Sequence, residues 1–240
     1  MTAPDRPVLR YYGGKWRLAP WILRHFPPHE VYVEPFGGSA AVLLQKPESP
    51  LEVWNDLGLE VYNFFAVLRD EALCARLVRA LEFTPWHREE FERCYAGLGE
   101  PQDDPVERAR RFFVVSWQGV GAPPSWRHVL HARYHDVPSH TWSFDHLLAA
   151  SRRLRRVQLE HRDALEVMGR YDSPDTLFYL DPPIWWGRGP SGCAMRWTAW
   201  TRSGTGGSSR PPSPCGGWSS SPATPTPSTR RSWKSEAGSG

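Results

Sequence analysis

The chain has 240 residues, 40 % of them hydrophobic and 23 % charged, a globular balance that excludes collagen-like structure and disorder along the whole length. The net charge of +3 joins two unlike parts: from Gly187 onward seven basic residues face the single Glu236, whereas residues 1–186 hold 22 basic against 25 acidic groups. The basic excess therefore gives no warrant for a nucleic-acid-binding body, and any such surface has to come from local clusters.

No apolar run reaches the roughly 18–20 residues that cross a bilayer. The opening residues show no basic stretch followed by an apolar one, so the expectation is a cytoplasmic chain without a secretory signal. Cys74, Cys94, Cys193 and Cys215 are scattered, with no pair at metal-ligand spacing, and read as reduced thiols. Nor do His87, His128, His131, His135 and His140 fall at zinc spacing, so no metal site is expected.

In chain order, β-rich runs stand at residues 31–34, 51–54, 157–160 and 176–180, each closing on a turn or an acidic residue. Helical patterns occupy 59–68, 71–81, 105–117 and 144–154, with apolar positions three and four residues apart. Strands alternating with helices predict an α/β fold with a mostly parallel sheet. Residues 84–154 interrupt the alternation and are expected to form a small, mainly helical insert, dividing a first part (1–83) from a second part (155–186) of the main domain. Residues 187–240 contain no Leu, Ile, Val or Phe, and Gly, Pro, Ser and Thr supply 35 of the 54 positions. Such a segment cannot bury enough apolar surface to offset ~1–2 kcal/mol per residue of backbone ordering. It is expected to be disordered, although Trp197, Trp200, Trp218 and Trp233 fit a native linker badly.

Three clusters carry chemistry. The first, Val33-Glu34-Pro35-Phe36-Gly37-Gly38-Ser39-Ala40, is a strand running into a paired-glycine turn and the start of a helix of small residues. Its glycines let a ligand lie against the backbone, and a helix start there would offer free N–H groups; a purely structural turn is the alternative. The second, Asn55-Asp56, closes the next strand 19 residues after Gly37, where an acidic residue can accept from ribose hydroxyls; the alternative is Asp56 as the N-cap of the following helix. In the third, Tyr179-Leu180-Asp181-Pro182-Pro183, two prolines fix the backbone beside a carboxylate. The Asp181 carboxylate and the Pro182 carbonyl can then accept both N–H bonds of an exocyclic amine.

With Arg10-Tyr11-Tyr12-Gly13-Gly14-Lys15-Trp16 near the start, these clusters resemble the adenine-specific DNA methyltransferases of the Dam type, in the family's order over residues 8–183. The resemblance implies a Rossmann-like sheet that binds S-adenosylmethionine and a double-stranded DNA substrate whose target adenine is flipped out. It implies cofactor contacts from Tyr11 and Lys15, from Phe36, Gly37 and Gly38 along the methionine part, and from Asp56 on the ribose. Asp163 would sit near the cofactor's adenine, or else cap the helix that follows it. Asp181, Pro182 and Pro183 would form the catalytic motif. The insert at 84–154 would read the target, with Arg111, Gln118 and Arg127 as candidate DNA contacts; a solvated helical face is the alternative. A monomer is expected, and no metal is required.

The chain departs from the family directly after Asp-Pro-Pro. An aromatic that stacks on the flipped base, usually Tyr, is replaced by Ile184, and the family's remaining strands are not visible. If one base is lost at the third position of the Pro183 codon, the shifted frame makes Ile184 compatible with Tyr. In that frame residues 194–198 allow Tyr-Glu-Met-Asp, and 217–229 allow an apolar strand, Leu-Val-Val-Leu, followed by a loop. The tail is therefore expected to be an out-of-frame reading, the C-terminal strands missing, and the chain inactive or nearly so. A non-catalytic nucleic-acid-binding remnant and a Rossmann-like methyltransferase acting on RNA are the alternatives.

Overall fold

The computed structural model describes residues 4–120, 125–126 and 143–182; Pro183, Arg127 and the tail expected to be disordered lie outside the described residues. The elements are α1 (Ala19–Leu23), β1 (Val31–Glu34), β2 (Leu51–Asn55), α2 (Leu59–Arg69), α3 (Glu71–Glu82), α4 (Arg88–Ala96), α5 (Pro105–Gln118), the short β3 (Gly119–Val120) and β4 (Ser125–Trp126), α6 (Asp145–Leu154), β5 (Val157–Glu160), α7 (Ala164–Tyr171) and β6 (Thr176–Phe178). The main sheet has the order β5-β2-β1-β6 with every neighbouring pair parallel. This is the expected α/β class, a Rossmann-like arrangement of parallel strands and helices. β3 and β4 form a separate antiparallel pair.

Local signals place several boundaries. Asp70 accepts from the Leu73 N–H to cap α3, Asp104 accepts from Val106 N–H ahead of Pro105 to cap α5, and Asp163 accepts from Leu165 N–H to cap α7. Each satisfies an otherwise orphaned first-turn amide. β1 and β2 are buried along nearly their whole length, as expected for strands covered on both faces. On one face Tyr32 and Trp54 join a large core with Phe64, Phe65, Leu77, Phe113, Leu147 and Leu154. On the other, Val33 and Val53 pack with Val167 of α7, flanked by Val31, Leu51 and Phe178.

One expectation is corrected by the backbone after the glycine turn, and the packing adds a finding of its own. The described helices of the 84–154 stretch pack against the sheet: Phe113 and Trp117 of α5 and Leu147 and Leu154 of α6 belong to the same core as Tyr32 and Trp54. Their apolar stripes, Val106, Ala109, Phe113 and Trp117 on α5, are what close that core. The helix expected after the glycine turn does not start there. Ala40 sits at φ +53°, a left-handed conformation that cannot continue a right-handed helix. The Leu43 amide is drawn to the Glu34 carboxylate at 2.9 Å, leaving only turns over 41–46.

A candidate ligand crevice at the carboxyl edge of the sheet

The four parallel strands deliver their C-terminal ends to one edge. β1 feeds residues 35–40, β2 feeds Asp56, β5 feeds Arg162 and Asp163, and β6 feeds Asp181 and Pro182. β2 and β5 lie on one side of β1 and β6 on the other, so β1 is the point at which strand order reverses. Ligands of open parallel sheets sit at such a switch point, outside the carboxyl ends.

The loop after β1 is fixed from below. Glu34 is buried, and its Oε1 accepts from the Tyr32 hydroxyl at 2.6 Å and from the Leu43 N–H. Burial pushes the Glu34 carboxyl up to about 7 against the lowering effect of those two bonds. Gly37 donates its N–H to the Asn55 carbonyl at 2.7 Å. A Cβ on Gly37 would stand 2.0 Å from Nε1 of Trp54, so no side chain fits between this turn and the buried indole. Gly38, at φ +47°, donates its N–H to Oδ2 of Asp56 at 2.8 Å, and the ring of Tyr11 covers its Cα within 3.1 Å of where a Cβ would stand.

Asp56 does not cap α2. Gly58 is the N-cap, without a side-chain bond, and the second Asp56 oxygen accepts from the Gly58 N–H at 2.8 Å. The carboxylate thus ties the glycine turn to the entrance of α2. Its negative charge, after burial, raises the Tyr11 hydroxyl to about 12.

Asn55 was legible only as part of a motif, yet it braces the crevice. Its Nδ2 donates to the Pro35 and Arg162 carbonyls at 2.9 and 3.0 Å, and its Oδ1 accepts from the Arg162 N–H at 2.9 Å. One buried amide holds together the loops that follow β1 and β5. The sign was a polar residue at the buried end of a central strand, which has to find partners for its amide.

On the β6 side the Tyr179 N–H donates to the Val33 carbonyl at 2.9 Å, carrying the ladder one residue past the strand. Tyr179 is half-buried, and its hydroxyl is raised by burial and by the charges of Asp181 and Glu34. Two residues on, Oδ2 of Asp181 meets Nζ of Lys15 at 2.6 Å, with about a third of each side chain exposed. Lys15 also donates to the Gly13 carbonyl at 2.7 Å. Tyr11, Lys15, Gly37, Gly38, Asp56 and Asp181 are therefore brought to one edge, with half-buried Phe36 and Pro182 beside them in the chain. Asp163 lies at the same edge of β5, where its carboxylate caps α7.

The candidate DNA contacts fare differently. Gln118 is fully buried, and its Nε2 donates to the Pro85 carbonyl at 3.0 Å. It lies one turn beyond the buried Val114 on the inward flank of α5, which removes it from any groove-facing surface. Arg111 is paired with Glu107 at 2.9 Å. Among the described residues no group of three or more His, Cys, Asp or Glu side chains could hold a metal ion, and no helix is long and apolar enough to cross a membrane.

Residues 11–106 match the profile of the family described as D12 class N6 adenine-specific DNA methyltransferase. Over 124 residues the chain is 31 % identical to a DNA adenine methylase of Salmonella typhi and to one of Salmonella typhimurium, covering 48 % of this chain and 41 % of each relative. The chain thus spans about two-fifths of the length of the curated relatives it matches. Both matches support the resemblance to the Dam-type adenine methyltransferases. The profile match takes in Tyr11, Lys15, the glycine turn and Asp56, and ends ahead of Asp163 and Asp181.

Proposed function

We propose that the crevice is built to move the methyl group of S-adenosylmethionine onto the exocyclic N6 amine of adenine in DNA. The observation that carries this reading is the pairing of β6 beside β1, which sets the Asp181–Pro182 motif next to the glycine turn at the switch point. The residues present suit the cofactor: the Tyr11 ring stands over the glycine turn at Gly38 and the Asp56 carboxylate lies at the same edge. Tyr11, Phe36, Gly37, Gly38 and Asp56 would hold it, with Lys15 and Asp163 completing the set that the family implies. When bound, the cofactor supplies an electrophilic sulfonium methyl.

The chain's own part is electrostatic and positional. The lone pair of an adenine amine is delocalised into the ring, which makes the amine a poor nucleophile. The Asp181 carboxylate and the Pro182 carbonyl accept its two N–H bonds, localise the lone pair and stabilise the positive charge that develops as the amine attacks. Alignment of amine and methyl lowers the barrier further. The base has to leave the duplex to reach Asp181, so the substrate is double-stranded DNA with the adenine flipped. The protein acts as a cytoplasmic monomer and needs no metal in this reading.

The same reading makes this chain slow or inactive. Ile184 follows Asp-Pro-Pro where the family stacks an aromatic on the base, and the sequence beyond is read as out of frame. The test uses the full chain with labelled S-adenosylmethionine and duplex DNA. Cofactor binding with little methyl transfer is expected, with transfer restored by a chain read in the shifted frame and abolished again by Asp181→Ala. Absence of cofactor binding would sink the assignment, and transfer to RNA in preference to DNA would reassign the substrate.

A further inference from the structure

The rim of the crevice carries a feature that the chemistry above leaves unused. From Arg6 to His29 the sequence places Arg6, Arg10, Lys15, Arg17 and Arg24 without a single Asp or Glu, in a body whose first 186 residues are net acidic. In the middle of this strip stands Tyr12, 92 % exposed.

Tyr12 is held there by rigid backbone. The Gly14 N–H donates to the Tyr11 carbonyl at 2.9 Å and Gly13 has φ +77°, a tight turn with Tyr12 as its first central residue. The turn is braced on both sides. The Tyr11 ring lies against Gly38, and the Lys15 ammonium bonds the Gly13 carbonyl and Asp181. A large ring on such a tip contributes nothing to the core, and it stands three residues from the cation that touches the Asp181 carboxylate. Arg17 and Arg24 are exposed and form no ion pair among the described residues. The arginines of α5 are committed instead: Arg108 to Glu60, Arg110 to Glu90 and Glu107, and Arg111 to Glu107.

Resting on the reading of the crevice as an adenine methylation site, we propose that the rim formed by residues 10–24 contacts duplex DNA, with Tyr12 stacking on a base beside the flipped adenine and Arg17 neutralising a backbone phosphate. Charge complementarity supports the occupant, because a cationic strip with interleaved aromatics suits phosphates and base faces together. Stacking on a braced turn needs little ordering on binding, and it tolerates any base sequence because every base has a π-face.

The experiment measures binding of the full chain to a short labelled duplex by fluorescence anisotropy across a salt series, with cofactor binding followed separately by calorimetry. Tyr12→Ala is expected to weaken DNA binding about tenfold, and Tyr12→Phe to retain it. Arg17→Gln is expected to lower the salt slope by about one. Cofactor affinity stays at the parent value in the Tyr12 variants. DNA binding by Tyr12→Ala and Arg17→Gln equal to that of the parent, or no DNA binding by the parent, overturns the proposal. Loss of cofactor binding in the parent chain overturns the methylation reading instead, while the DNA measurements still decide the rim.

Discussion

Two ion-paired clusters in this protein differ in burial, and the difference separates scaffold from site. Under the sheet, Glu52 is gripped by Lys46 at 2.6 Å and by Arg153 at 2.5 and 2.8 Å, with all three side chains almost fully buried. Lys46 adds bonds to the Pro47 carbonyl and Ser49, and Arg153 one to the Leu43 carbonyl. At the carboxyl edge, Lys15 and Asp181 are just as close, yet a third of each lies in water. A buried cluster cannot exchange partners without stranding a charge in low dielectric. A half-exposed pair exchanges with solvent or ligand at little cost, which leaves the Asp181 carboxylate able to take the role proposed for it.

Breaking each cluster exposes the contrast. Glu52→Leu leaves two cations buried without their anion and is expected to lower stability by about 3–5 kcal/mol, seen as a large loss in the urea midpoint. Glu34 lies between the extremes, buried and hydrogen-bonded by two donors. Its pKa in the folded protein, about 7 against an ordinary 4.5, means that the fold holds this proton more tightly than the unfolded chain does. Its contribution therefore favours the fold below pH 4.5, declines as pH rises toward about 7 and is flat above. The decline amounts to about 3 kcal/mol, measured as the difference in pH dependence of stability between the parent and Glu34→Gln, whose amide oxygen can keep both bonds. Lys15→Met should move stability least, by less than about 1 kcal/mol. A loss as large as that of Glu52→Leu would show that the edge pair is scaffold and not a working group.

Much of the candidate site was legible because its signals are local. Two glycines after a central strand, an acidic residue at the end of the next and a carboxylate locked by prolines are short motifs whose chemistry does not depend on distant partners. The helix caps at Asp70, Asp104 and Asp163 are local in the same way, a side chain bonding an amide two or three residues on. The burial of Gln118 and the ion pairing of the α5 arginines were not legible, because a polar side chain in a helical pattern does not declare its face. The fully buried Val114 one turn earlier carries Gln118 inward, and the acidic partners of the arginines come from α2 and α4 as well as from α5 itself. α4 was not anticipated: Phe91 and Cys94 are its only buried apolar residues, too few to mark a period.

The sequence alone determined the class of fold and the motifs that make up the candidate site, since strand and helix periods, turn residues and the Asp-Pro-Pro motif are properties of neighbouring residues. Only the tertiary structure decided that β6 lies beside β1, that Lys15 reaches Asp181, that Asn55 ties the Pro35 and Arg162 loops, and that the 84–154 helices share the central core. Those contacts join segments up to 166 positions apart, as Lys15 and Asp181 are. No local pattern specifies them, because they follow from burying every apolar face at once.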